Sequence, residues 1–458
     1  MTNRRKPTAK IGAAIALMVT ALFAFQPTAQ GDVRVRASTL TAGVTYSAYR
    51  ISGPNRVKLV TVDADASNAE IDVALANSSF PGSSTPSRMG AQRNALVAVN
   101  GDFGFYPGRP AHLFAEDGAM ITTSKLGAEG KNFAISSDEQ DQYVGQPGTA
   151  ISVMQVASRR TFTVDRFNEG SPKSSEVAAF SPAGGTLERP GNGCSARLLP
   201  STGPGWSGGQ MGVQRDYTVD VVACGGSLAV NGGIVLVAQS GTSRADQIRG
   251  LVRGETVRLT WSLGWRGVLD SIGGSPVLLE NGKLMVSACS SYLCLRHPRT
   301  AVGVKANGDV LIMQVDGRSS ASVGLTLVGL AKEMQRKGAV DALNLDGGGS
   351  STMWVRGKGV VNSPSDGSER NVSNFLMVLG GPDSGDPNNM APRAPVSDAD
   401  AAAAEAQVTD DFGAAIADPA STGGLLDYEV TQRSGTRAPM ELDPELRGML
   451  DDFYAAQG

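Results

Sequence analysis

Residues 57–63 and 69–76 alternate apolar and polar positions, the period-two pattern of half-buried strands that pair with one another. Residues 95–99 form a shorter apolar run that leads straight into Asn100-Gly101-Asp102. Strand patterns recur at 217–223, 233–237, 256–259, 302–304 and 310–315. One segment, 326–338, carries helical spacing: Leu327, Leu330, Ala331 and Met334 share a face, and Gly338 supplies the stop. A short strand over 339–345 follows and ends in Asp346. Residues 310–346 thus read as strand, helix, strand, and both strands run into an acid followed by glycine, Asp316-Gly317 and Asp346-Gly347. The pattern predicts a β-rich α+β fold, a single mixed domain with few helices, over residues 41–380.

Composition narrows this little. In 458 residues, 41% hydrophobic and 19% charged residues supply a substantial core and exclude a disordered or fibrous chain. The 57 glycines and 23 prolines favour turns and short strands, and no Gly-X-Y period accompanies them. With 41 basic against 44 acidic residues, no nucleic-acid partner is expected.

The chain ends change the picture more. Arg4, Arg5, Lys6 and Lys10 precede an apolar run over 11–25 and then a polar, small-residue stretch, the order found in a secretory signal. Fifteen residues rise about 22 Å as a helix, short of a roughly 30 Å hydrocarbon core. Residues 1–30 are therefore expected to be a removed signal peptide, leaving no transmembrane span, with an uncleaved anchor as the alternative. From 381 onward, 15 Asp and Glu face only 4 Arg. Residues 381–406 read as a flexible linker and 407–458 as an acidic tail, with one amphipathic stretch at 441–456.

Four cysteines, Cys194, Cys224, Cys289 and Cys294, allow three pairings, of which the two local ones are simplest. Disulfides suit an exported protein. The Cys289-x4-Cys294 spacing and a total of two histidines do not fit a zinc site.

The sharpest chemical signal is the run Asp346-Gly347-Gly348-Gly349-Ser350-Ser351-Thr352. Three glycines permit close backbone approach and an N–H anion nest, three hydroxyls follow, and a carboxylate precedes. No Gly-Lys-Ser/Thr ends it, so it is not a nucleotide loop. Arg299 and Arg318, each beside a predicted strand end, offer forked donors suited to phosphate. Asn100 and Asp102, with Phe103, Phe105 and Tyr106 behind them, suit a sugar platform. His297 adjoins the arginine block as a phosphate ligand, an acid or base, or a packing residue beside Pro298. Asp366, Glu369 and Arg370 line the pocket or hold it by a salt bridge.

These blocks together resemble the phosphodiester glycosidase family over roughly residues 55–380. The resemblance rests on Asn100-Gly101-Asp102, Gly273-Gly274-Ser275-Pro276 with Asn281-Gly282-Lys283 after it, Pro298-Arg299-Thr300-Ala301-Val302-Gly303, Val315-Asp316-Gly317-Arg318, the signature from Leu345 to Thr352, and Asn362-Ser363-Pro364-Ser365-Asp366-Gly367-Ser368-Glu369-Arg370 followed by Val372-Ser373-Asn374. Two departures stand out. The first block reads Asn-Gly-Asp-Phe-Gly-Phe-Tyr where relatives more often carry Asn-Gly-Gly-Phe-Phe, and His112 stands where relatives tend to have a small residue.

The resemblance implies hydrolysis of the bond between a sugar's anomeric carbon and a phosphodiester oxygen. Such a leaving group needs fixed positive charge more than a proton, and the cationic anomeric centre needs a carboxylate. Arg299 and Arg318 are expected to hold the phosphate with Gly347, Gly348, Gly349, Ser350, Ser351 and Thr352. Asp346 is favoured over Asp316 as base or nucleophile. Asn100, Asp102, Gly274, Asp366, Glu369 and Arg370 are the expected substrate-binding residues. No cofactor is required, a catalytic metal is left open, and a structural calcium in the Asp-rich turns is the remaining alternative. Expected partners are a sugar phosphodiester of a bacterial envelope glycopolymer or glycoconjugate, reached by secretion. Two rivals remain: a metal-dependent phosphodiesterase that attacks phosphorus, and a non-catalytic envelope protein that binds anionic glycans.

Overall fold

The glycine- and proline-punctuated strands assemble into four principal sheets in a computed structural model, which describes residues 33–380 apart from 67, 79–80, 106–107, 125–130, 137–140, 186–190, 203–208 and 289. The expected signal, linker and acidic tail, together with Tyr106 and Cys289, lie outside the described residues. Among those residues the fold is α+β and dominated by β-sheet, with three α-helices.

An eight-stranded antiparallel sheet runs in the order Val33–Thr41, Val44–Ile51, Asn55–Val62, Val310–Val315, Arg299–Lys305, Ala339–Asn344, Val277–Glu280, Lys283–Leu284. Its centre is the strand–helix–strand unit that the periodicity predicts. Helix α3 (Leu327–Arg336) is capped by Thr326, whose Oγ1 accepts from Gly329 N at 3.0 Å. Gly338 then takes a φ of +96°, which releases the chain into Ala339–Asn344. The helix buries Leu327, Leu330, Ala331 and Met334 against Leu311, Met313 and Ala342 of the sheet.

A five-stranded sheet orders Gly359–Val360, Met353–Val355, Val97–Asn100, Asn374–Gly380 and Ala69–Leu75. A six-stranded sheet contains Lys131–Ser136, Val268–Gly274 and Phe114–Glu116. Between them Asp72, Glu116 and Asp270 are buried, and Arg93 Nη2 meets Glu116 Oε1 at 2.6 Å. Burial pushes Asp72 up to about 7, opposed by the Arg93 charge. A second eight-stranded sheet carries the Cys194–Cys224 disulfide, which joins directly opposed residues of Gly193–Pro200 and Gln214–Cys224. Cys294 is also disulfide-bonded.

Two segments pass from one sheet to another. Ala339–Asn344 of the first eight-stranded sheet leads through the glycine signature into Met353–Val355 of the five-stranded sheet. Val268–Gly274 of the six-stranded sheet leads through the cis Ser275–Pro276 peptide into Val277–Glu280 of the eight-stranded one. Candidate chemistry gathers at these crossings.

Candidate active site

Asp346 leaves its strand at the first crossing and is 3% exposed. Its backbone N–H donates to Gly101 O at 3.0 Å, and its carbonyl accepts from Asn100 Nδ2 at 2.7 Å. Asn100 also binds the other side of the signature: its Oδ1 accepts from Thr300 Oγ1 at 2.8 Å and from Thr352 N at 3.2 Å. Thr300 Oγ1 in turn lies 3.2 Å from Ser351 Oγ. One buried amide thus ties the exit of strand Val97–Asn100 to both ends of the glycine turn.

The turn differs from the expected anion nest. Gly347 N donates to Asp346 Oδ1 at 2.7 Å and Gly348 N to Pro298 O at 2.9 Å. Ser350 N and Ser351 N close a 3-10 turn onto Gly347 O and Gly348 O. With these N–H groups spent internally, the glycines act through close packing. A Cβ on Gly349 would stand 2.1 Å from Asp366 Oδ2 and 2.2 Å from Arg370 Nη2. That space belongs to an ion pair, in which Arg370 Nη2 and Nε reach Asp366 Oδ2 at 2.6 and 3.0 Å. Gly349→Ala should force the pair apart, costing about 1–3 kcal/mol as an overpacked site. Thermal unfolding and kcat/KM of the variant, both expected to fall, check this. Gly274 is likewise tight, with Asn344 O 2.4 Å from its hypothetical Cβ.

Burial pushes the Asp346 carboxyl up to about 6, against the Ser350 hydroxyl, the Arg370 charge and the Gly347 N–H, while Asp102 repels it further. Ser350 Oγ is enclosed without a well-aligned hydrogen-bond partner, although its dipole lowers the Asp346 pKa. Asp346 is therefore largely ionised at neutral pH and protonated in mild acid.

Asp316 has a different environment. Lys58 Nζ forms a buried ion pair with its Oδ2, and Ser363 N donates to Oδ1 at 3.1 Å. Its charge is matched within the protein, so sequence equivalence between the two acid–glycine strand ends does not extend to their surroundings. Lys58, which sequence reasoning missed, was signalled only as a lysine inside an apolar strand.

The arginines also divide. Arg299 is 4% exposed, and its Nε donates to Leu325 O at 3.0 Å while Nη2 donates to Leu293 O and Leu295 O at 2.6 and 2.8 Å. Nη1 is the guanidinium nitrogen with no protein partner among the described residues. Burial, then repulsion from Arg318, bring Arg299 down to about 10. Arg318 is exposed, with Nη2 3.1 Å from Tyr292 Oη and 3.5 Å from His297 Nδ1. His297 Nε2 lies 2.9 Å from Tyr292 O, which assigns the ring proton to Nε2. Burial and the two arginines outweigh that bond and push His297 down to about 4, so the ring is neutral near pH 7. Glu369 accepts from Ser87 N at 2.9 Å, at the start of helix α1 (Pro86–Gln92).

A pair missed as a unit stands beside Asp346. His112 Nδ1 lies 2.6 Å from Asp102 Oδ1, and His112 N donates to Asp102 Oδ2 at 2.8 Å. Both side chains are buried, and His112 Nε2 has no hydrogen-bond partner among the described residues. Asp102 is itself fixed by Asn374, whose Oδ1 accepts from Asp102 N at 2.6 Å. Gly273 makes room for the dyad: a Cβ there would lie 2.2 Å from His112 Cβ. A neutral imidazole that donates from Nδ1 to a carboxylate presents Nε2 as an acceptor, the arrangement of an oriented general base. The signal in the sequence was the departure at Asp102 and His112.

No group of three or more His, Cys, Asp and Glu among the described residues is arranged to hold a metal ion. No described helix is long and apolar enough to cross a membrane.

Residues 207–379 match the family model described as phosphodiester glycosidase. The chain is 40% identical over 115 residues to an SPbeta prophage-derived uncharacterized protein of Bacillus subtilis, covering 25% of this chain and 18% of that protein. It is 28% identical over 207 residues to N-acetylglucosamine-1-phosphodiester alpha-N-acetylglucosaminidase of Mus musculus, covering 37% of this chain and 39% of the relative. It thus spans well under half the length of these curated relatives. A crystal structure of a hypothetical protein from Synechocystis shares the fold, with a TM-score of 0.61 and 20% identity over 74% of this chain and 63% of that one. Over residues 207–379 the chain is similar to the phosphodiester glycosidase family. The matched segment excludes Asn100, Asp102 and His112, so one wall of the site lies outside it.

Proposed function

We propose that the protein hydrolyses the bond between a sugar's anomeric carbon and a phosphodiester oxygen, acting after export on an envelope glycopolymer or glycoconjugate. The observation that carries this reading is the meeting of a buried, ionisable Asp346 with the oriented Asp102–His112 pair, within reach of the Arg299 charge. Similarity to the phosphodiester glycosidase family over residues 207–379 supports the reaction class, and the signal-like first 30 residues support export.

In this mechanism water attacks the anomeric carbon and gives its proton to His112 Nε2. The C–O bond breaks, its electron pair leaving with the phosphate monoester, whose charge Arg299 Nη1 and Arg318 offset. Asp346 stabilises the positive charge that develops on the sugar. Asp102 holds the His112 tautomer and stabilises the imidazolium that forms. Tyr292 orients Arg318, and His297 stays neutral between them.

A panel of sugar-1-phosphodiesters, followed by phosphorus NMR with and without chelator, tests the reading. Free reducing sugar and a phosphate monoester are the expected products, in chelator as well. Sugar-1-phosphate would place the cut at phosphorus, and chelator-sensitive release of it would establish the phosphodiesterase rival. Saturable binding without turnover would establish the glycan-binding rival.

A further inference from the structure

Exposed large apolar side chains are few on the described surface, yet four of the six fall between residues 284 and 295: Leu284, Met285, Tyr292 and Leu295. Tyr292 and Leu295 are 39% and 49% exposed. Both stretches sit over one core, into which Val286 and Cys294 pack with Leu325 and Leu327. The segment is anchored from below by the site itself, because Arg299 donates to the carbonyls of Leu293 and Leu295. It also meets the site from above, since Tyr292 Oη accepts from Arg318 and its ring lies 4.5 Å from that of His297.

Arg299 Nη2 and His297 Nε2 together direct three hydrogen bonds into this segment, to the carbonyls of Leu293, Leu295 and Tyr292. A buried guanidinium commits Nη2 to hold the backbone from which Tyr292 and Leu295 project outward. The result is a firm apolar lip, with the exposed cations Lys283, Arg296 and Arg318 alongside it. An anionic group joined to a hydrocarbon chain matches that surface: the charge meets the arginines and the chain lies on the lip.

We propose that this lip receives the hydrocarbon aglycone of a lipid-linked sugar phosphodiester. The proposal rests on the phosphodiester reading for the identity of the anion and narrows its substrate class. Chain length then contributes to affinity. Each fully buried methylene is worth about 0.8 kcal/mol, roughly fourfold, and a half-buried one roughly twofold.

Calorimetric titration of the full chain with butyl and octyl phosphate, below the micellar range, separates the two ideas because it needs neither the correct sugar nor turnover. The octyl ester should bind about 10-fold or more tightly than the butyl ester. Leu284→Ser combined with Leu295→Ser should reduce that ratio to under about threefold, with unchanged thermal unfolding. The same substitutions at Val213 and Val252, exposed apolar residues outside the lip, should leave the ratio intact. Equal binding of the two esters would overturn the proposal. So would a chain-length ratio that survives in the lip variant or is lost equally in the control variant. Failure of the glycosidic reading would appear separately, as an absence of free reducing sugar from every diester while the chain-length ratio persists.

Discussion

Asp346→Asn should lower kcat by about 10³-fold while leaving the protein as stable as before, or more so at alkaline pH. The side chain is enclosed, and its Oδ1 already accepts from Gly347 N, a bond that an asparagine carbonyl keeps. What is lost is the negative charge. The folded pKa is raised from 3.8 to about 6, so the stability this group contributes is fully present below about 4 and lost as pH rises through about 6. At pH 8 the wild-type protein bears the full cost of a buried carboxylate, and the amide removes it. Activity has the opposite sign. The ionised form is the working form, so wild-type kcat should fall as pH drops through about 6. Steady-state kinetics from pH 4.5 to 8.5, paired with thermal unfolding of both proteins, reads all three effects. An Asn variant with undiminished kcat would remove Asp346 from the chemistry, and one that unfolds early would overturn the stability expectation.

His112→Gln should cost about 10²- to 10⁴-fold in kcat, the range of a general base. Alanine is the poorer variant, because it would leave the Asp102 carboxylate buried without its ring partner, a loss of about 3–5 kcal/mol for a broken buried pair. Glutamine retains polar reach, and the His112 backbone N–H still donates to Asp102 Oδ2. If the pair works as one unit, Asp102→Asn should also lower kcat, and the double variant should be scarcely worse than His112→Gln alone. Additive losses would show two independent roles. A change in KM with kcat preserved would place His112 in sugar binding.

Elements that carry one uninterrupted period were legible in the sequence. Helix α3 and its flanking strands follow the predicted spacing, and Gly338 turns the chain where a stop was expected. Helices α1 and α2 (Ser243–Arg249) have seven residues each, too few turns for an apolar stripe to stand out. Asp346 was legible because its glycines and hydroxyls follow it directly. Asp316 has the same local pattern, and what sets it apart is Lys58, 258 residues earlier in the chain. The use of Arg299 was hidden for another reason: its partners are backbone carbonyls, which carry no residue identity. His112 and Asp102 are only 10 residues apart, but the segment between them has no period that would bring them together.

The passage of the glycine signature between two sheets has a consequence for how the protein gains its activity as it folds. Asn100 is bonded to partners 200, 246 and 252 residues away, and Asn374 reaches Asp102 across 272. Contacts so distant in the chain form late, after the loops between them have been closed at an entropic cost. The pocket therefore cannot mature on a partial chain, and a fragment confined to 207–379 lacks the wall that holds Asp102 and His112. During refolding, strand signals should return first and turnover last, so enzymatic activity would time the final docking of the sheets.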